Sequence, residues 1–167
     1  MNIKIIDEKE QFAQCETFEI THLLWGTKAI PKTYGKIACW KEHGFLVEMT
    51  CEDPLRTYLK MNDPVSQDSG MEAFLGFWSE ETPLYVNVEM NANGATLIQS
   101  GTERTDRTFF TEEQIRICQP QAVIEKNCWK KLVVRFCKLR VQKLPVIFTK
   151  CVKAVMPNRF IMQVIRR

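Results

Sequence analysis

The stretch Tyr85-Val86-Asn87-Val88-Glu89-Met90-Asn91-Ala92-Asn93-Gly94 decides how this chain is read. At a period of two it divides into two faces. Val86, Val88 and Met90 make one face, apolar and suited to the inside of a sandwich. Tyr85, Asn87, Glu89 and Asn91 make the other. Asn is depleted from strands, so two in one row call for a reason. Two carboxamides, a carboxylate and a phenol together offer both donors and acceptors. That is the chemistry needed to hold a neutral, hydroxyl-rich ligand such as a sugar. Asn93-Gly94 reads as the pair of positive-φ residues of a tight hairpin turn.

Working outward, Met71 to Trp78 is the preceding strand. Met71, Ala73, Leu75 and Phe77 lie on one face, and Glu72, Phe74, Gly76 and Trp78 on the other. A hairpin through Ser79–Pro83 then sets Glu72 and Glu89 on one sheet face. Paired carboxylates also suit glycosidase chemistry, where their separation distinguishes retention from inversion. Three readings stand: a ligand-binding surface, a structural hydrogen-bond network, or a glycoside-active enzyme using Glu72 and Glu89. Trp78 shares the parity of Glu72, so its ring either stacks on a sugar or fills the core. Arg104 and Arg107, in the loop Gly101–Arg107, offer rigid forks of donors to hydroxyls or carboxylates. Their alternative is surface pairing with Glu103 and Asp106.

The rest of the chain follows the same style. Ile20 to Leu24 with Trp25 reads as a first strand, and Gly26 to Gly35 as a loop. Ile37–Trp40 and Phe45–Cys51 form a hairpin around Glu42-His43-Gly44, with Phe45, Val47, Met49 and Cys51 facing one way. Glu52 to Gly70 is a long connection without periodicity. Ala95–Gln99 is the return strand after Gly94. Arg116–Cys118, Val123–Glu125 and Leu132–Phe136 are further strands. Short strands separated by turn signals predict an all-β fold, an antiparallel β-sandwich of jelly-roll type, with no helix beyond two turns.

Composition narrows the options. The chain has 167 residues, 45% hydrophobic and 26% charged, and reads as a single domain over residues 1–167. No apolar run reaches membrane length, and the N-terminus has no signal-peptide layout, which predicts a cytoplasmic protein. Seven cysteines at wide spacings, without Cys-x-x-Cys, read as reduced thiols. No Walker loop, dinucleotide fingerprint, Gly-x-Ser-x-Gly elbow or His-Glu-x-x-His is present, so no cofactor is expected. The oxygen-rich loop Asn62–Asp68 leaves room for a structural calcium, without the register of an EF-hand.

Charge is unevenly spread. Residues 1–125 carry all 20 acids and 11 Lys or Arg, whereas residues 126–167 carry 12 Lys or Arg and no acid. A basic tail suggests nucleic-acid binding as a rival function. Its wealth of Val, Ile, Phe and Leu argues against a solvated basic arm. From Lys138 onward the chain has no acid and no glycine. The change is what a shift of reading frame near Phe136 would produce, and it predicts an incomplete or atypical C-terminal end of the sandwich with an open sheet edge.

The same residues carry a family resemblance. Asp63-Pro64-Val65 and Asp68-Ser69-Gly70-Met71-Glu72-Ala73-Phe74, then Tyr85 to Gly94, then Gly101, Arg104 and Arg107, resemble the family 9 carbohydrate-binding module and its single-domain bacterial relatives. Cys51-Glu52-Asp53-Pro54 with Arg56 fits as well. The resemblance covers about residues 20–136. It implies a jelly-roll sandwich that binds sugars without cleaving them, often beside enzymes that degrade xylan or cellulose, and some relatives carry calcium. It assigns ligand contacts to Glu72, Asn87 and Glu89, and a ligand arginine to Arg104 or Arg107. Asn91, Trp78 and Tyr85 complete the expected site. Two positions depart from the family. Its aromatic two residues before Asp-Ser is here Ser66, and no Trp or Tyr follows Trp129 to supply the second ring of a clamp.

Overall fold

In a computed structural model, residues 3–22, 31–52, 70–78, 83–125, 128–135 and 160–165 are described, without the side chains of 77, 78, 83, 84, 125, 128–135 and 160–165. The strands are β1 (Lys4–Ile6), β2 (Thr17–Glu19), β3 (Lys32–Trp40), β4 (Gly44–Glu52), β5 (Gly70–Trp78), β6 (Pro83–Asn91), β7 (Thr96–Gly101), β8 (Thr108–Phe109), β9 (Gln121–Glu125), β10 (Cys128–Arg135) and β11 (Phe160–Ile165). A 3-10 turn spans Lys9–Gln14, and one helix, α1, spans Glu112–Ile117.

The strands form two sheets. The first runs β1-β3-β4-β10-β9, with β2 also on β3, and the second runs β11-β5-β6-β7-β8. All described pairings are antiparallel except β1 with β3. Alternation explains why the sheets stack. Phe45, Val47, Met49 and Cys51 of β4 share one core cluster with Met71 and Leu75 of β5, Val86, Val88 and Met90 of β6, and Ile98 of β7. Each of the larger side chains contributes about 1.5–3 kcal/mol by leaving water. The expected β-sandwich is therefore the observed one.

The other face of the first sheet is also covered. Ala38 and Leu46 cluster there with Ile6 and Cys15, supplied by β1 and the end of the 3-10 turn. Within the pair β2–β3, Phe18 lies over Gly35, where a Cβ would meet Phe18 Cζ at 2.6 Å and would also run into the carbonyl of Glu48. The residues read as a loop up to Gly35 thus include the first half of β3, which pairs with β4 from Lys32↔Glu52 to Trp40↔Gly44.

Three local expectations are corrected. Arg116–Cys118 is not a strand: Arg116 and Ile117 close α1. Its start is fixed by a capping box, in which Gln114 N donates to Thr111 Oγ1 and Thr111 N donates to Gln114 Oε1. In the β6–β7 hairpin, Gly94 has φ 83° but Asn93 is not in the left-handed region. The chain uses a longer loop, with Gly94 N donating to Asn91 O and Asn91 N to Ala95 O, a turn followed by one left-handed residue. Finally, the edge of β5 is not open. β11, Phe-Ile-Met-Gln-Val-Ile, pairs with it from Phe160↔Leu75 to Ile165↔Gly70. Its β-branched and aromatic content suits a strand despite the lack of alternation. The strand expected from Ile20 to Leu24 with Trp25 is not one over 20–22, where the chain has already left β2, and its remainder lies outside the described residues, as do the calcium loop Asn62–Asp68, Ser66 and the segment 136–159.

Candidate functional site

The second sheet turns Met71, Leu75, Val86, Val88 and Met90 toward the core. Its opposite face collects the polar row. Register sets Glu72 directly across from Glu89, Phe74 across from Asn87, and Gly76 across from Tyr85. On the far side of β6, Gln99 stands opposite Asn87 and Leu97 opposite Glu89. Phe109 of β8 stands opposite Gln99. One face therefore carries Glu72, Asn87, Glu89 and Gln99 with Phe74, Tyr85 and Phe109 around them.

These polar side chains are withdrawn from solvent. Asn87 is 0% exposed, Glu72 4%, Gln99 8% and Glu89 9%. The sequence reading expected a solvent-open row, so burial is a finding of the tertiary structure. Burial raises the stakes of every hydrogen bond. Asn87 Nδ2 donates to Glu72 Oε1 at 2.7 Å, and Arg107 Nη1 donates to Asn87 Oδ1 at 3.2 Å. The carboxamide is thus held from both ends. Glu89 Oε2 is buried and has no hydrogen-bond partner. The Glu89 carboxyl is pushed up to about 7, first by burial, then by the charge of Glu72 and a hydrogen bond with it, against a smaller opposing pull from Arg107. The Arg107 charge therefore offsets only part of what burial and Glu72 do to the Glu89 carboxyl.

The two arginine candidates separate. Arg107 is half-buried and reaches Asn87, and its Nε donates to the carbonyl of Arg104. Arg104 is exposed. Pairing with Asp106 does not occur among the described residues, because Asp106 folds the loop: Oδ2 accepts from Thr102 N and Oδ1 from Glu103 N. Gly101 is needed there, since a Cβ would sit 2.6 Å from Asp106 Oδ1.

Asn91 is buried on the same strand, but its Oδ1 accepts from Asn93 N and Ala95 N, so that oxygen closes the hairpin. Tyr85 is half-buried and tilted against Phe74, ring centroids 6.3 Å apart at 44°. Burial pushes its phenol upward from the ordinary tyrosine range. Trp78 closes β5, and its side chain lies outside those described. Sequence reasoning missed Gln99, Phe74 and Phe109 as members of this face. The parity of β5 marks Phe74, but placing Gln99 and Phe109 needs the β6–β7–β8 register. Phe109 is 63% exposed at the margin of the row, available to pack on an apolar ring face. Among the described residues, no group of three or more His, Cys, Asp or Glu is placed to hold a metal ion, and no helix is long and apolar enough to cross a membrane.

The fold defines the class: an antiparallel β-sandwich with its polar chemistry gathered on the outer face of one sheet. Comparison with known families makes this specific. The chain belongs to carbohydrate-binding family 9, whose family model matches residues 4–136. The fold is similar to that of a candidate carbohydrate-binding protein from Bacteroides uniformis ATCC 8492, with a TM-score of 0.60 and 17% identity over 81% of this chain and 67% of that one. No curated protein matches the chain.

Proposed function

We propose that this chain binds carbohydrate through the outer face of its second sheet and does not cleave it. Glu72, Asn87, Glu89 and Arg107 bond the hydroxyls, and Phe74, Tyr85, Phe109 or Trp78 pack on the ring. The ligands are mono- or oligosaccharides from plant polysaccharides of the xylan or cellulose type, and binding serves their breakdown. The buried free thiols of Cys15 and Cys39 support a reducing, cytoplasmic setting.

The observation that carries this reading is the buried oxygen of Glu89, unpartnered beside an ordered Glu72–Asn87–Arg107 chain, in a member of carbohydrate-binding family 9. Buried polar groups are normally satisfied, and one left bare is a place for a ligand donor. The glycosidase alternative fits less well. Acid and base pairs work at about 5–5.5 Å or about 6.5–9.5 Å, with room for sugar or water between them. Glu72 and Glu89 instead hydrogen-bond each other. A glycan array, followed by calorimetric titration of the best hit, tests the reading. Binding that falls in Glu72→Gln, with no turnover of chromogenic glycosides, supports it. Absence of binding across the array, or turnover that vanishes in Glu72→Gln, overturns it.

A further inference from the structure

The acidic pair narrows the ligand. Glu72 and Glu89 stand opposite each other in the β5–β6 register and both are more than nine-tenths buried. Glu89 Oε2 has no hydrogen-bond partner. A buried acceptor without a donor costs about 1–3 kcal/mol, more when it is charged. Among the described residues, those on the sheet face of Glu89 can be named element by element. β5 contributes Glu72 and Phe74, β6 contributes Tyr85 and Asn87, β7 contributes Leu97 and Gln99, β8 contributes Phe109, and the loop between β7 and β8 contributes Arg107. β11, which pairs with β5, is Phe-Ile-Met-Gln-Val-Ile and holds no titratable residue. Arg107 is the cation of this set, and its Nη1 is already directed to Asn87.

We propose that the preferred ligand is an amino sugar whose ammonium group docks between Glu72 and Glu89 and donates to Glu89 Oε2. The proposal rests on the carbohydrate-binding reading above and deepens it. An ammonium is a compact cation with three donors and no acceptor. It satisfies the bare oxygen and removes the repulsion between the two carboxylates at once. A neutral hydroxyl supplies one donor and leaves that repulsion in place, unless the pair keeps its proton.

The proton balance makes this measurable. The Glu89 carboxyl stands at about 7, so in slightly acidic solution the free protein holds a proton on Glu89. When the ammonium enters, that proton passes to the buffer and Glu89 ionises. No bond in the sugar forms or breaks. The favourable contact is a charge-assisted hydrogen bond in a nearly dry site, the strong kind.

The test uses the intact chain. Glucosamine, galactosamine and mannosamine are each titrated beside the parent hexose and the uncharged N-acetyl derivative, at pH 6, in buffers of different ionisation heat. At least one amino sugar is expected to bind about tenfold or more tighter than its two uncharged counterparts. Its binding should release close to one proton, as linkage requires for an acid whose pKa falls on binding. In Glu89→Gln both the preference and the proton release should disappear. If that variant does not fold, the comparison of charged and uncharged sugars on the unaltered chain still decides. Hexoses that bind as tightly as their amino counterparts, or binding without proton release, overturn the amino-sugar proposal and leave carbohydrate binding standing. Failure of all nine sugars overturns the proposal; the wider glycan array then decides the broader reading.

Discussion

Asn87 Nδ2 donates to Glu72 Oε1 over 2.7 Å, and the same side chain accepts from Arg107 through its Oδ1. The orientation of Glu72 is therefore set before any ligand arrives. Preorganisation of this kind spares the cost of ordering side chains on binding. It also makes the 102–107 loop part of the site, although Arg107 stands 20 residues from Asn87 in the chain.

Arg107→Ala should weaken sugar binding roughly tenfold, the worth of one hydrogen bond from a charged donor at a buried partner. Arg104→Ala should change it by less than about twofold, because Arg104 is exposed and offers its backbone carbonyl to Arg107. Calorimetric titration of both variants against the same glycan measures the difference. Equal losses in the two would refute the assignment of Arg107.

Stability should fall as pH rises through the window from 4.5 to about 7. Glu89 has a folded-state pKa above its unfolded value, so in that window the folded state binds more protons than the unfolded one, and raising the pH favours unfolding. The penalty is complete above about 7, and the shift sets an upper bound of about 3 kcal/mol. Glu89→Gln removes the titrating group. Denaturant unfolding at pH 5 and pH 8 should show the variant gaining relative to the native chain at the higher pH. A native chain that is equally stable at both pH values would contradict this.

Gly35→Ala should destabilise the first sheet by about 1–3 kcal/mol, the usual cost of overpacking. The added methyl runs into Phe18 and the backbone of Glu48, and the backbone cannot step aside without disturbing the β3–β4 ladder. Thermal unfolding of the variant provides the measurement. Gly35→Ala combined with Phe18→Ala should recover little, since the Glu48 carbonyl remains.

Thr111→Ala should cost about 1 kcal/mol through loss of the helix cap. Thr111 Oγ1 accepts from Gln114 N, and α1 follows Phe110, which is buried in the core. The loss should appear as a shift in unfolding midpoint without a change in sugar affinity, because α1 carries none of the site residues.

The parts of the fold legible in the chain are those with a strong local period. β4, β5 and β6 show alternating apolar positions, and the sandwich follows from pairing those faces. α1 was less legible. Arg116, Ile117 and Cys118 look like a strand when read alone, and the signal that corrects them is Thr111-Glu112-Glu113-Gln114, a capping box just upstream. β11 was illegible for a different reason. It lacks alternation, and its place on β5 is a contact across nearly ninety residues of chain.

The same division holds for the site. Alternation alone puts Glu72, Asn87 and Glu89 on one face and the Val86, Val88 and Met90 set on the other, because a strand reverses its side chains at every residue. Nothing local says that this polar row is buried, that Gln99 and Phe109 join it, or that Arg107 rather than Arg104 reaches Asn87. Those facts arise when separate strands and a loop meet, and with them comes the exclusion of water that lifts the Glu89 carboxyl and leaves its second oxygen bare. Side-chain direction is a property of the backbone's own geometry; partners and solvent access belong to the packed molecule, since both depend on residues far away in the chain.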